Sequence, residues 1–522
     1  MYLAKRTAFV VNQGGTADYL KKYSSLVKHF LLCQGFFITE KTIYLEVFEM
    51  AKKTKFIYVG SGLITLAAFI IMFAKPFTEN LDDTAHIMLG GILITLSIWI
   101  FKPFNLSYSV GGVFLAFFAL AIGQRPEVVF SGFSQSAVWT LIPALFFGYT
   151  LQKTGLGNRI ALGIVKLFKP SYPSLVFAWV LIGIVLSILT PSITVRVAIV
   201  IPIALQCCEL CMIKKGSRGN SLILLTAFAM ALIPGSGWLS GLLGGPIIQG
   251  MFNAIPELEG TVTFSSWFGI LFLPMIIVTV LVAVGGLITL KPAEAIPKEV
   301  YDAIKRPQVP SMSRNKGMAA LILIVVFLLF LTSQLHGIPD VAVCLAAVFA
   351  FFLFGILEAK DFNAGVNWDL VVFIGMAISL STIFVETGIS QWLAGIVVPA
   401  IAPIAINPWV FMFSITVFMF LWRFFDVAIF IPTMAIMIPI LPTIQEIYQI
   451  SPLVWIAVFV MAHNAFFMSY QNIWAMMSRT IAGDGAWSSK HLGAYGTLYF
   501  VACLLALLVA IPMWINAGLF GL

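Results

Sequence analysis

The sequence predicts an all-α polytopic membrane protein with about eleven transmembrane helices, two inverted repeats and two opposed re-entrant helical hairpins. Of the 522 residues, 60% are hydrophobic and 10% are charged, whereas about 25% of residues are charged in a typical soluble domain. Apolar runs of about 20 residues, the length that a bilayer-spanning helix needs, recur along the chain. Two stretches of the chain also repeat each other, which predicts two related halves.

The chain opens with a polar N-terminal extension, residues 1–55, in which no complete apolar run is long enough to span a bilayer. This extension lacks the order of a basic, an apolar and a small-residue segment that marks a signal peptide. We expect either a dispensable extension or, alternatively, a small cytoplasmic regulatory tail.

The first repeat, residues 56–290, contains six predicted spans. They lie at about 56–75, 85–101, 107–123, 137–152, 221–252 and 265–290. The fifth span is interrupted by Pro234, Gly235, Ser236 and Gly237, which predicts a discontinuous helix. Lysines precede the first span and basic residues cluster after the fourth. By the positive-inside rule, the N-terminus and the region near residue 160 should therefore lie in the cytoplasm.

Between the fourth and fifth spans lies an apolar region, 173–213, that is long enough for two passes. Basic residues flank it on both sides, so its two ends should share one face of the membrane. It either crosses twice or forms a re-entrant hairpin whose polar break, Thr190-Pro191-Ser192, is buried at the tip. We expect the hairpin, because non-helical backbone at membrane depth is tolerated only where protein or a watery cavity covers it.

The second repeat, residues 317–522, follows a basic loop at 291–316 that should be cytoplasmic. Its spans are predicted at about 317–334, 339–357, from Trp368 to about 386, 452–479 and 493–517. A second hairpin-sized region, 408–447, should enter the membrane from the outside. The two repeats are then inverted, and the C-terminus lies outside.

The two hairpin regions carry related sequences. Arg196 to Pro202 and Asp426 to Pro432 share five of seven residues, and the arginine of the first is an aspartate in the second. A charged side chain at membrane depth is expensive, so it usually faces a bundle interior or a water-filled path. The functional site should therefore lie where the two hairpins meet, as in inverted-repeat transporters.

Arg196 has three interpretations. It could hold the hairpin shut by pairing with a carbonyl or a carboxylate. It could bind an anion, because its planar guanidinium matches a carboxylate or a sulfate bidentately. It could also form an ion pair with Asp426 across the symmetry axis, which would open when substrate arrives. Arg423 stands three residues before Asp426, a spacing that favours a local pair on a helix, with substrate contact as the alternative.

Several uncharged or weakly charged residues are further candidates. Ser192 and Thr194 flank the break of the first hairpin, where they could cap a helix or bind a ligand. His463 stands next to Asn464 in the second interrupted span. It could hydrogen-bond a neighbouring helix or carry protons near a site.

Composition argues against other classes of function. The net charge of +8 reflects basic residues that collect in cytoplasmic loops, and not nucleic-acid binding. The six cysteines lack the spacing of a zinc site, so no metal or other cofactor is predicted beyond a coupling ion, Na⁺ or H⁺. A membrane-embedded enzyme is the alternative class, but the sequence offers no intramembrane carboxylate pair, metal cluster or Ser/His/Asp set. A channel would not need two occluding repeats.

The motif at the first hairpin is specific enough to indicate a family. Ser192 and Pro202 stand ten residues apart, and the flanking form Thr-Pro-Ser-x-Thr-x-Arg runs from Thr190 to Arg196. In these features the sequence resembles the divalent anion:sodium symporter family, over roughly residues 56–517. The family carries a Ser-Asn-Thr motif at each hairpin tip, ten residues before a helix-capping proline, and the flanking form is similar to that of its dicarboxylate and citrate exchangers.

The segments at Trp139 and Trp368, each of which leads to a Thr-Gly pair, also resemble the family's helices before the hairpins. The resemblance implies a carrier for a dicarboxylate, citrate or sulfate in the inner or plasma membrane. It further implies a homodimer and an elevator-like form of alternating access.

The family's sodium sites carry over by resemblance to hairpin and helix-break residues. These are Ser192, Thr194, Pro234, Gly235, Ser236, Gly237 and Asn472, and Asp426 adds a titratable oxygen. The sequence departs from the family pattern in two places: Ile193 replaces the asparagine of the first motif, and Trp422-Arg423-Phe424 replaces the second motif. We therefore expect exchange or proton coupling rather than multi-sodium symport. The predicted substrate-binding residues are Ser192, Thr194, Arg196, Arg423 and Asp426.

Overall fold

The computed structural model of the chain describes residues 40–79, 81–297, 299, 308–426, 430–483 and 485–521. Within these residues the secondary structure is helical, with one isolated bridge between Ile450 and Phe520 and no β-strand. Ten helices in this part of the chain are long and apolar enough to cross a membrane. The prediction of an all-α polytopic membrane protein is confirmed.

The helices of the first half are α1 (Glu40–Ala74), α2 (Asp83–Phe101), α3 (Tyr108–Ala121), α4 (Pro126–Val129), α5 (Ser131–Ser134), α6 (Ser136–Thr154), α7 (Leu156–Leu167), α8 (Tyr172–Leu189), α9 (Ile193–Leu210), α10 (Arg218–Leu232), α11 (Gly244–Asn253) and α12 (Phe264–Thr289). Short 3-10 turns lie at Pro103–Asn105, Pro234–Gly237, Leu239–Gly241 and Pro256–Leu258.

The helices of the second half are α13 (Arg314–Leu331), α14 (Ser333–His336), α15 (Asp340–Leu353), α16 (Asp361–Ala364), α17 (Trp368–Glu386), α18 (Ile389–Ala405), α19 (Pro408–Trp422), α20 (Ile431–Met437), α21 (Leu441–Tyr448), α22 (Pro452–His463), α23 (Ile473–Ala482) and α24 (Ser489–Asn516). Its 3-10 turns lie at Ile438–Ile440 and Ser469–Gln471. Each of the predicted spans corresponds to one of these helices or to a broken pair of them.

Both halves run through the same order of elements. Helices α6 and α17 each lead into a Thr-Gly pair whose glycine, Gly155 or Gly388, adopts a left-handed conformation with φ of 67° or 70°. Glycine takes up this conformation without the strain that a side chain adds, which is why it often ends helices. A connecting helix, a hairpin, a broken helix and a long terminal helix follow in both halves, so the chain has the predicted two-repeat plan.

Contacts between helix ends divide the loops into two groups. At one end of the molecule, Lys153 at the end of α6 pairs with Asp361 in the loop between α15 and α17. At the opposite end, Arg125 before α4 pairs with Glu386 at the end of α17, at 3.1 Å. Further contacts between loops follow the same division. The grouping matches the alternation expected from the loop charges, and the assignment of one end to the cytoplasm stays a prediction.

The first hairpin consists of α8 and α9, which both pack against α10. Its break at 190–192 is buried against α6, where a Cβ added at Gly148 would lie 3.1 Å from the Ser192 Cβ. Tyr172, at the start of the hairpin, contacts Gly219 beyond its end, so both ends share one side. A polar connection between two complete crossings would reach the surface, whereas a re-entrant tip must be enclosed by protein. The structure has the enclosed tip.

The second hairpin differs from the first at its break. Its first arm, α19, ends at Trp422, and its second arm begins with α20 at Ile431. Arg196 is the fourth residue of α9, whereas Asp426 precedes α20. The sequence correspondence between Arg196 and Asp426 is therefore not a structural one, and the prediction that the two charges mirror each other is wrong.

The difference between the hairpins has a physical reason in how each second arm is capped. Ser192 caps α9 from the position next to the helix, with its hydroxyl accepting from the N–H of Val195. In the second hairpin the Asp426 carboxylate accepts from the N–H of Thr433, the third residue of α20, at 3.1 Å. The first N–H groups of a helix need such acceptors. Two solutions to the same need thus give the tips different shapes.

Helix α10 lies at the centre of the fold, and the segment Arg218–Gly237 is fully buried. The final helices of the two repeats, α12 and α24, pack along each other and against α10. The hydroxyls of Tyr495 in α24 and Thr226 in α10 are 2.8 Å apart. A helix that is apolar on all sides belongs in the interior. The first broken helix accordingly lies inside the molecule, between the first hairpin and the final helices of the two repeats.

The Asp361 carboxylate connects α6 to the loop between α15 and α17. It accepts hydrogen bonds from Lys153, from the Tyr149 hydroxyl at 2.8 Å and from the Glu358 N–H at 2.6 Å. Burial by itself would raise the pKa of Asp361, but these hydrogen bonds outweigh it and lower the pKa to about 2. The stabilisation is therefore complete above the unfolded-state pKa of about 4, and it is lost as the pH falls from there through the folded-state value.

We predict that Asp361→Asn lowers the free energy of unfolding at neutral pH by about 1–3 kcal/mol, because three partly buried donors lose a charged acceptor. Glu358→Gln is the matched control: this carboxylate is 58% exposed and lies 3.9 Å from the Lys153 Nζ, and exposed pairs contribute about 0–1 kcal/mol. Thermal unfolding in detergent measures both variants. Equal losses in the two would contradict the assigned role of Asp361.

Candidate functional site

The tip of the first hairpin is built from hydroxyl groups that satisfy its own backbone. The Thr190 Oγ1 accepts from the N–H of Ser192 at 3.1 Å, and the Ser192 Oγ accepts from the N–H of Val195 at 3.4 Å. Ser192 therefore acts as a helix cap, one of its two predicted roles. The N-terminus of α9, with the partial positive charge of an 18-residue helix, ends at this buried tip.

Arg196 extends from the first turn of α9 to the break in the first broken helix, and it is fully buried. Its Nη2 donates to the Gly241 carbonyl at 2.8 Å. Its Nη1 packs on Gly235, where an added Cβ would lie 2.5 Å away. Within the described residues, Nε and Nη1 have no hydrogen-bond partner. A buried guanidinium with two unsatisfied donors is unfavourable unless an acceptor completes it.

The first helix break, from Pro234 to Gly241, is held by indole donors. The Trp238 Nε1 donates to the Ser187 carbonyl at 3.2 Å, and the Trp267 Nε1 donates to the Ser236 carbonyl at 3.1 Å. The Trp267 indole thus satisfies a carbonyl of the break. The Trp238 indole, which belongs to the break, satisfies the Ser187 carbonyl of α8, because Pro191 has no N–H to donate to it. The break is thereby a fixed surface of backbone carbonyls beside Arg196.

The second helix break lies between α22 and α23. Asn472 caps α23, and its Oδ1 accepts from the N–H groups of Trp474 and Ala475 at 3.0 and 3.2 Å. The indole N–H of Trp474 donates to the Thr194 Oγ1 at 3.1 Å. The first hairpin is thereby bonded to the second repeat. The ring of the buried His463 packs against the Trp474 ring, with centroids 5.4 Å apart.

The two breaks meet at the centre of the molecule. The Asn464 Nδ2 donates to the Ser236 Oγ at 2.7 Å, which joins α22 of the second repeat to the break of the first. Farther along, the ring of Phe467 stacks on Phe424 at the second hairpin tip, with centroids 5.6 Å apart. A continuous series of contacts thus runs from the first tip through both breaks to the second tip.

The charges of the second hairpin engage each other and their own arm. Arg423 donates to the backbone carbonyl of Asp426. The Asp426 carboxylate accepts from the N–H and the hydroxyl of Thr433. The Trp422 indole donates to the same hydroxyl at 2.9 Å. Arg423 and Asp426 are 1% and 2% exposed. The contact is local, but it joins the Arg423 guanidinium to a backbone carbonyl outside a helix.

The structure brings only part of the predicted site together. Thr194, Arg196, Ser236 and Asn472 belong to the connected hairpin and break region, whereas Arg423 and Asp426 lie in the second hairpin. The ion pair between Arg196 and Asp426 is wrong, because Arg196 bonds to the first break and its contacts include no carboxylate. Sequence reasoning missed Gly241 and Trp474. The Gly241 carbonyl accepts from Arg196 and the Trp474 indole donates to Thr194, and only the tertiary structure brings these groups together.

A small cavity adjoins the first tip. Pro191 and Ser240 line one side of it, and Phe147 of α6, Leu323 of α13 and Cys344 of α15 line the other. Ser240 immediately precedes Gly241, the acceptor of Arg196. The tip itself packs directly on α6 at Gly148, and the cavity is a local gap beside it.

These contacts predict which charge and polar pairs are energetically coupled. A double-mutant cycle on Ser236→Ala and Asn464→Ala should give an interaction energy of about 0.5–3 kcal/mol, the range for residues in direct contact. The cycle on Arg196→Gln and Asp426→Asn should be additive within about 0.5 kcal/mol, because the two side chains contact different elements. Unfolding titrations in mixed micelles measure both. A larger interaction energy in the second cycle would contradict this assignment and support an ion pair between Arg196 and Asp426.

Comparison with solved structures supports the fold. The crystal structure of the YdaH transporter of Alcanivorax borkumensis superposes with a TM-score of 0.52 at 16% sequence identity, over 75% of this chain and 88% of that chain. At this identity the similarity shows the fold alone.

Relatives of known name are transporters. Dicarboxylate transporter 1 of Arabidopsis thaliana chloroplasts is 24% identical over 371 residues, 69% of this chain and 65% of that protein. The L-tartrate/succinate antiporter of Shigella sonnei is 24% identical over 310 residues, 56% of this chain and 61% of that protein. The matches thus span somewhat less than two thirds of these relatives. The profile of the sodium:sulfate symporter transmembrane region matches residues 58–520, nearly the whole membrane part, and this chain therefore belongs to that family.

Proposed function

We propose that this chain is a secondary active transporter that exchanges small dicarboxylate anions across the membrane in which it is embedded. Membership of the family and the names of the dicarboxylate and tartrate/succinate relatives support an anion carrier. These relatives carry out transport, which favours a carrier over the alternative of a membrane-embedded enzyme. We place the protein in the inner or plasma membrane, with the N-terminus in the cytoplasm and the C-terminus outside.

The observation that carries the proposal is the state of Arg196. One nitrogen of its buried guanidinium donates to the Gly241 carbonyl, and in the part of the chain that the structure describes, Nε and Nη1 have no hydrogen-bond partner. A carboxylate matches this fork bidentately, and such charge-assisted hydrogen bonds are among the strong ones. The N-terminus of α9 lies one turn away and adds favourable potential for an anion. Few ligands suit this combination better than a small carboxylate.

The hydroxyl groups near Arg196 favour a substrate with a second polar end. Thr194 lies half a turn before Arg196, and the Ser236 hydroxyl lies one residue beyond Gly235, on which the guanidinium packs. We assign the second carboxylate to these groups. Dicarboxylate is preferred over sulfate or citrate because the named relatives carry dicarboxylates. The homodimer and the elevator-like motion implied by the family resemblance remain part of this proposal.

We predict that Arg196→Ala reduces uptake of labelled succinate into proteoliposomes loaded with succinate by about tenfold to a hundredfold, the equivalent of one hydrogen bond to a charged group. Arg196→Lys should recover little, because a point charge does not reproduce the planar fork. Arg125→Ala is the control, since that side chain is 69% exposed and lies at a loop. Wild-type uptake in the Arg196→Ala protein, at equal reconstitution, would remove Arg196 from the site. Absence of flux for succinate, sulfate and citrate in the wild type would refute the transport proposal itself.

The second hairpin motivates a prediction on coupling. It lacks the Ser-Asn-Thr motif, and the Asp426 carboxylate is engaged by Thr433. We therefore expect succinate uptake to depend on an internal counter-anion or a pH gradient, and not to rise steeply with sodium. The test is the initial rate of succinate uptake, measured as a function of sodium concentration at fixed pH and membrane potential. A sigmoidal sodium dependence with a Hill coefficient above one would show multi-sodium symport.

A further inference from the structure

The base of the first hairpin belongs to a surface with excess positive charge. We call it the basic surface; its members are Lys166, Lys169, Lys214, Lys215, Arg218, Lys291, Arg479 and Lys490. The acidic residues of the same loops are fewer: Glu209, Glu294, Glu299, Asp302 and Asp484. Within the described part of the chain, no ion pair involves a member of the basic surface. Its charge is therefore available to an external partner.

Contacts show that these loops form one continuous surface. The Tyr172 ring after Lys169 packs on Gly219 after Arg218. The Asn220 Nδ2 donates to the Ala486 carbonyl at 2.6 Å, which joins the start of α10 to the loop before α24. The residues near Lys166, Arg218 and Lys490 are therefore neighbours although they are far apart in sequence.

The basic surface lies at the level where membrane helices end. Helix α9 ends just before Lys214, and α10 begins at Arg218. Helix α7 has 12 residues, too few to span a bilayer. One of its faces is buried and packs against α8 and α9. It thus runs beside the hairpin base at the edge of the apolar layer.

Large apolar side chains project next to these charges. Leu167 follows Lys166 at the end of α7 and is 78% exposed, and Met212 precedes Lys214 and is 75% exposed. Apolar side chains exposed among basic ones are typical of a surface that inserts into the boundary between headgroups and acyl chains. A soluble anion would use the charges and would gain nothing from exposed leucine and methionine.

We propose that the basic surface binds the headgroups of anionic phospholipids, with Leu167 and Met212 inserted among the acyl chains. The partner follows from charge complementarity, because basic clusters beside membrane helices attract anionic lipids. Since α7 packs against both arms of the first hairpin, bound lipid holds the base of that hairpin in place. This inference does not depend on the transported substrate.

The test uses the full-length protein in neutral detergent, titrated with phosphatidylglycerol or with phosphatidylcholine, and reads the midpoint of thermal unfolding. Phosphatidylglycerol should raise the midpoint more than phosphatidylcholine, and added salt should reduce the difference because it screens exposed charges. The variant Lys166→Gln/Lys169→Gln/Lys214→Gln/Lys215→Gln should need at least about tenfold more phosphatidylglycerol for half of the effect, since each basic side chain contributes roughly fivefold in affinity.

Two matched variants complete the experiment. Lys75→Gln/Arg125→Gln removes two positive charges from the opposite end of the molecule and should respond as the wild type does. Leu167→Ser/Met212→Ser keeps the charges and should also weaken the lipid effect. Equal shifts with both lipids, or an unchanged response in the variant of the basic surface, would overturn the proposal. An equal shift with inorganic phosphate alone would show a soluble-anion site in place of a lipid surface.

Discussion

The architecture depends on one constraint: polar backbone groups freed by a helix break at membrane depth must find partners inside the protein. Three breaks are enclosed in the described part of the chain: the first hairpin tip and the interruptions of the two broken helices. Each receives a dedicated donor or acceptor. Hydroxyls and the Trp238 indole serve the first hairpin, the Trp267 indole serves the first interruption, and Asn472 serves the second. Arg196 is part of this system as a donor to Gly241.

The same constraint explains why the two repeats have diverged. In the first hairpin a residue at the helix start caps the arm, which leaves the arginine one turn later free to reach the neighbouring break. In the second hairpin the Asp426 carboxylate accepts from the N–H of Thr433, and aromatic stacking between Phe424 and Phe467 supplies the contact to the break. The first hairpin thus reaches the neighbouring break through a charged side chain, and the second through an aromatic one.

Hydrogen bonds connect the two repeats near Arg196. Thr194 bonds to Trp474 and Ser236 bonds to Asn464, so the first hairpin and both interruptions form one connected unit. A small cavity beside Pro191 lies between this unit and residues of α13 and α15. The basic surface lies at the base of the same hairpin.

Composition and hydrophobic runs by themselves determined the class of the protein, the spans and the two-repeat order. Each spanning segment must be long and apolar enough to cross a bilayer, and this requirement is visible in its own sequence. The Thr-Gly helix ends and the break at Thr190-Pro191-Ser192 were likewise readable, since glycine, proline and hydroxyl residues act through local backbone chemistry. Only the tertiary structure decided which polar groups meet. Arg196 donates to a carbonyl 45 residues away and not to Asp426. The way in which each second hairpin arm is capped decides where its charge lies, and a similarity over seven residues does not encode this.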